Sequence, residues 1–193
     1  CGTHTHEIFR LGIRKLLPEQ VELISGPGCP VCVTPVSFID EAIYLALEKG
    51  VTICTFGDLV RVPGTKMSLA GAREKGAKIR IVYSPADAEK YASEHQGEQV
   101  VFLSVGFETT TPAECLSVKK AKKDGLMNYS LLMANKTMPQ AYEALKGSAD
   151  IFLYPGHVNA ITGTKLCEKL TEEGVSGVVA GFTAKELLTA LAV

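Results

Sequence analysis

Two short stretches hold most of the residues that could do chemistry. The first is Cys1-Gly2-Thr3-His4-Thr5-His6-Glu7, which puts a thiol and two imidazoles within six residues. Thiolate and imidazole are soft and borderline metal ligands, and the glycine loosens the backbone between them. His6 reads more simply as a helix cap, whereas Cys1 with His4 reads as a candidate site. The second is Ser25-Gly26-Pro27-Gly28-Cys29-Pro30-Val31-Cys32-Val33-Thr34-Pro35. A Cys-x-x-Cys brings two sulfurs close enough to bridge or to share a metal. Cys32 lies just before an expected helix start at Thr34, whose positive end favours a thiolate. The prolines and glycines leave this loop little freedom to lose, as a preorganised site requires. Zinc held by Cys29, Cys32, Cys1 and His4 is an alternative, but a structural zinc site normally draws on a second Cys-x-x-Cys pair, which this chain lacks.

Three further loops follow expected strands, each with a glycine turn and one ionisable side chain. They are Thr55-Phe56-Gly57-Asp58, Gly106-Phe107-Glu108-Thr109-Thr110-Thr111 and Tyr154-Pro155-Gly156-His157. Any one alone is most simply a cap or a satisfied loop, but three at equivalent strand ends suggest a shared cleft. Arg61–Lys66 fits a flexible rim or an ordinary turn equally well. Cys54, Cys115 and Cys167 fall in a strand and two helices, where a buried, inert thiol is the default. No phosphate loop, dinucleotide fingerprint, nucleophile elbow or H-E-x-x-H occurs, which removes the usual support for those chemistries.

The elements that must carry these loops are legible from periodicity. Seven β-branched runs are expected as strands: Val21–Ser25, Val51–Thr55, Ile79–Tyr83, Gln99–Val105, Tyr129–Met133, Asp150–Tyr154 and Ser176–Gly181. Most are continuous apolar runs, the mark of parallel strands covered on both faces. Helices lie between them. Thr34-Pro35 and Ser84-Pro85 pair an N-cap with proline at the first helical position, while Thr111–Glu114 and Thr183–Glu186 read as capping boxes. Phe38, Ile39, Ala42, Ile43 and Ala46 form one apolar helix face. This alternation predicts an α/β fold of two similar Rossmann-like lobes with mostly parallel sheets covered by helices. Loops matching in order at residues 1–58 and 134–182 suggest a duplication. The polar stretch Ser93–Glu98 suggests a boundary, dividing the chain into 1–95 with the CGTHTH and GPGCPVC loops and 96–193 with the GFETT and PGHV loops.

Composition bounds the rest. The 193 residues are 46% hydrophobic and 21% charged, which excludes disorder. Twenty Lys and Arg nearly balance 21 Asp and Glu, so nothing electrostatic calls for nucleic acid or an anionic membrane. The run Lys119–Lys123 is expected near a helix C-terminus, on a solvated face. The six cysteines are too scattered for a secreted framework and read as reduced thiols in a cytoplasm.

Taken together, CGTHTH at 1–6, GPGCPVCVTP at 26–35, TFGD at 55–58, GFETT at 106–110, PGHV at 155–158 and VAGF at 179–182 resemble, in order along the chain, the signature stretches of the HypD family of hydrogenase maturation proteins. The resemblance implies a maturation scaffold with redox activity rather than a conventional enzyme. Such a scaffold assembles the Fe(CN)₂CO unit of nickel–iron hydrogenase with a small chaperone, HypC, and the cyanide-supplying HypE. It makes Cys1 the iron ligand, His4 a supporting group, Cys29 and Cys32 the redox pair and Asp58 a polar group of the cleft. Glu108, Thr109 and His157 transfer more weakly. The family also carries a [4Fe–4S] region with cysteines this chain lacks, so the chain is expected to be an internal piece of a longer protein. A general thiol–disulfide oxidoreductase and a zinc- or ligand-binding α/β module are the competing readings.

Overall fold

Six of the expected runs become strands, and every strand is parallel to its neighbour. A computed structural model describes residues 1–193. Its chain divides into two units, one of residues 1–29 with 137–193 and one of residues 30–136. The α/β class with parallel sheets is as expected. The expected boundary at Ser93–Glu98 instead falls inside the second unit, in the connection between α4 (Pro85–Glu94) and β3 (Val100–Ser104). The physical reason is sheet pairing, because β3 hydrogen-bonds to a strand from the supposed other half.

The 30–136 unit is built on a four-stranded sheet of order β2-β1-β3-β4, with β1 at Thr52–Thr55, β2 at Ile79–Ile81 and β4 at Tyr129–Met133. Ile53 pairs with Ile79 on one side and Val101 on the other, and Val101 continues to Ser130. The central strands β1 and β3 are almost wholly buried, whereas the edge strands β2 and β4 are partly exposed. Helix α2 (Val36–Glu48) buries the five apolar residues expected of it against Ile53, Leu59, Leu69 and Leu103. A second core gathers Cys54, Val82, Ala88, Ala92, Val100 and Phe102. Helices α3 (Leu69–Glu74), α4 and α5 (Thr111–Lys123) complete the unit.

In the other unit β5 (Ile151–Pro155) pairs with β6 (Ser176–Ala180), and Leu153 stands opposite Val178. Around them lie α1 (Gly2–Arg10), α6 (Met138–Ala144), α7 (Gly156–Thr162), α8 (Lys165–Glu172) and α9 (Ala184–Ala192). Ile8 and Ile13 pack with Leu187, while Phe9 and Leu16 stay exposed. Val21–Ser25 is not a strand: it is unpaired, with Val21 and Ile24 exposed and the Leu23 carbonyl taken by Arg14. A β-prone run forms a strand only where a neighbour supplies the ladder. The expected duplication loses its matching strand there.

Ser84 caps α4 and Thr183 with Glu186 forms the capping box of α9, as expected. Two other starts differ. Pro35 is the N-cap of α2 and Thr34 donates to the Pro30 carbonyl; the N-cap of α5 is Thr110. No helix is long and apolar enough to cross a membrane.

Candidate functional site

Cys1 occupies the N-cap of α1 and makes no side-chain capping bond, so its thiol is not spent on the helix. The positive helix end favours negative charge at that position. Gly28 lies directly against this first turn. A methyl at residue 28 would sit 2.7 Å from the carbonyl carbon of Cys1, and Thr5 donates to the Ser25 hydroxyl at 3.3 Å. The loop ahead of Cys29 is thereby laid along the start of α1.

His4, one turn into α1, is only 3% exposed. Its Nε2–H donates to the carbonyls of Gly181 at 2.9 Å and Ala180 at 3.2 Å, at the carboxyl end of β6. That fixes the tautomer and leaves the buried Nδ1 with a lone pair and no hydrogen-bond partner. Burial lowers the imidazole pKa, and the nearby His157 adds to the effect, so the ring is neutral at pH 7. Carbonyls that orient one ring nitrogen while the other stays available are the usual arrangement behind a ligating histidine. His4 and His157 both rest on the Phe182 ring, with centroids 4.8 and 5.2 Å away. The residue types singled out Cys1, His4 and His157. Phe182 was missed as a site residue, because an apolar ring carries no chemical signature.

The 30–136 unit carries a second group. Strand order reverses between β1 and β3, and a parallel α/β sheet opens its crevice at the carboxyl ends of such a pair. The Phe56–Asp58 and Gly106–Thr110 loops leave those two ends, so Asp58, Glu108 and Thr109 share one sheet edge. Asp58 is exposed and accepts from the Leu59 amide; Glu108 is buried and Thr109 exposed. Arg61–Lys66 is a tied turn, with Thr65 bonded to Asp40 through both amide and hydroxyl.

Cys29 and Cys32 are disulfide-bonded, so the thiolate expected at Cys32 is replaced by a bridge. Cys1, Cys54, Cys115 and Cys167 are free. Cys54 and Cys167 are buried as expected, but Cys115 lies on the outer face of α5 and is exposed. Burial pushes the Cys54 thiol up to about 11. At pH 8 only about one in 10³ of these groups is ionised, so iodoacetamide should label Cys115 and spare Cys54 in the folded protein. Equal labelling of the two would contradict the burial. No group of three or more His, Cys, Asp or Glu side chains gathers in a geometry that could hold a metal ion. The scattered cysteines of this chain do not fit a [4Fe–4S] cluster.

Parallel α/β units bearing a thiol–imidazole turn and a Cys-x-x-Cys loop define a Rossmann-like protein with its chemistry on loops. All 193 residues match the family described as "HypD: Hydrogenase formation hypA family", and the chain belongs to that family. It is 46% identical over 193 residues to the hydrogenase maturation factor HypD of Rhodobacter capsulatus, covering 97% of this chain and 51% of that protein. The HypD of Escherichia coli K12 is 43% identical over 193 residues, covering 97% and 52%. That of Cupriavidus necator is 43% identical over 203 residues, covering 99% and 54%. The chain thus spans about half the length of these relatives.

Proposed function

We propose that this chain is part of a hydrogenase maturation factor that assembles and holds the Fe(CN)₂CO unit of nickel–iron hydrogenase as its cargo. The work is shared with the small chaperone HypC, and HypE supplies the cyanide. The observation that carries the reading is the seating of Gly28 on the backbone of Cys1, which brings the start of the Cys-x-x-Cys loop to the N-cap of α1.

In this reading the Cys1 thiolate ligates the iron, a soft centre that sulfur suits, together with a cysteine of the chaperone. Neutral His4 supports the site with its free Nδ1 lone pair. The disulfide and dithiol forms of Cys29 and Cys32 differ by two electrons and two protons, so the pair can take up or release electrons during assembly. Asp58, with Glu108 and Thr109, supplies polar groups at the sheet edge. The cytoplasm, with its reducing thiol pool, is the compartment that suits this chemistry.

The full-length protein, purified with its chaperone, is expected to show infrared bands of CO and cyanide stretches. Cys1→Ala should abolish them while leaving the circular dichroism intact. Bands that survive in Cys1→Ala sink the assignment. The bridged pair alone also suits a general thiol–disulfide oxidoreductase, a reading that leaves Cys1 and His4 without a task. Turnover of a generic disulfide by Cys1→Ala at the wild-type rate would favour it.

A further inference from the structure

Outside the loops already described, a buried polar cluster lies where β3 and β4 end. Asn135, two residues past β4, uses its whole amide. Its Oδ1 accepts from the Ser104 hydroxyl at 2.6 Å, and its Nδ2 donates to Glu114 Oε2 at 2.6 Å and to Thr111 Oγ1 at 3.2 Å. Ser104 is fully buried and Glu114 is 2% exposed. Glu114 Oε1 is buried without a hydrogen-bond partner, so the Asn135 bond is what holds this carboxylate in the interior.

The cluster brackets one loop from both sides. Thr111 Oγ1, positioned by Asn135, donates to the Phe107 carbonyl at 3.0 Å. On the other side the Lys136 amide donates to the Gly106 carbonyl at 3.0 Å. Gly106 leaves no room for relaxation, since a methyl there would meet the Thr110 hydroxyl at 2.8 Å. The Thr110 and Thr111 amides also donate to the Phe107 carbonyl, so the loop that presents Glu108 and Thr109 has its own turn bonds and is braced from outside by the hydroxyl that Asn135 positions.

We propose that Asn135, held by Ser104 and Glu114, is a positioning residue that fixes the Gly106–Thr110 loop in its working conformation. This rests on the reading that Glu108 and Thr109 serve hydrogenase maturation. The test uses the full-length protein, with amide hydrogen exchange and the yield of active hydrogenase as parallel readouts. Asn135→Ala should speed exchange at residues 106–111 by about tenfold while β1 and β3 keep their protection, and hydrogenase yield should fall. Asn135→Asp sets two carboxylates against each other and should do the same. Adding Glu114→Gln to Asn135→Asp reverses donor and acceptor across that one contact and should recover the thermal midpoint, but an aspartate cannot donate to Thr111 Oγ1 and draws its hydroxyl from the Phe107 carbonyl, so exchange at residues 106–111 should stay fast.

Unchanged exchange at residues 106–111 in Asn135→Ala overturns the proposal. So does a double variant whose exchange at residues 106–111 returns to wild type, or a loosened loop with full hydrogenase yield. Should Asn135→Ala fail to fold, the comparison of Asn135→Asp with the double variant decides. The exchange readout does not depend on the iron chemistry, so a failure of the maturation reading, seen as wild-type protein that carries no CO or cyanide bands, remains distinguishable.

Discussion

Gly28→Ala should disable the site from a position that bears no reactive group. The new methyl would lie 2.7 and 2.8 Å from the carbonyl carbon and Cα of Cys1, closer than real side-chain carbons come to a neighbour. Those atoms are backbone, so no rotamer change relieves the clash. Either the first turn of α1 or the loop ahead of Cys29 must move. Overpacking of this kind costs about 1–3 kcal/mol, and the displacement falls between the two sulfur-bearing segments. The expected result is a lowered thermal midpoint together with loss of the CO and cyanide bands that we propose depend on Cys1. Gly26→Ala, two residues earlier, is the internal control. A methyl there meets nothing within 4 Å, and the change should stay within about 0.5 kcal/mol of wild type. If the two alanine variants behaved alike, the close approach would carry no function.

That contact also shows where reading the sequence stops. Cys1, His4, Cys29 and Cys32 stand out because thiols and imidazoles at short spacing are chemically distinctive. That Gly28 touches Cys1 depends on the path of the intervening residues, which no spacing rule predicts. The strands β1 and β3 are legible because a central parallel strand is buried on both faces and favours β-branched and apolar residues, which Thr52–Thr55 and Val100–Ser104 supply. Val21–Ser25 has a similar composition and no partner, and composition cannot report a partner.

Thr111-Pro112-Ala113-Glu114 has the spacing of a capping box, yet Thr111 bonds the Phe107 carbonyl and Glu114 turns inward to Asn135. The local motif is overridden by a residue 21 positions away. Cys115 misleads in the same way, because one position along α5 separates the buried Glu114 from an exposed thiol. What decides such cases is which side of a helix meets the core, and the mixed sequence of α5 marks that side poorly.

Phe102→Ala is expected to give the largest loss of stability. Phe102 is at the middle of β3, fully buried, and packs with Cys54, Val82, Ala88, Ala92 and Val100. Removing a buried aromatic ring costs about 3–5 kcal/mol, from lost transfer energy and from a cavity that the surrounding strands close only in part. That is a large share of the stability of an ordinary domain, so the denaturation midpoint should fall steeply while the slope of the transition holds. Phe102→Leu keeps most of the volume and should cost far less. The consequence reaches the sheet edge as well. Phe56 meets Phe102 edge to face at 5.4 Å between centroids, and Phe56 leads into Gly57-Asp58. With the ring gone, the Asp58 loop loses the surface it rests on. Faster amide exchange at residues 56–60 should therefore appear in Phe102→Ala under conditions where the sheet is still folded. Exchange there that rose only in step with global unfolding would mean that the loop is held by its own turn, including the bond from the Leu59 amide to Asp58, and not by the core beneath it.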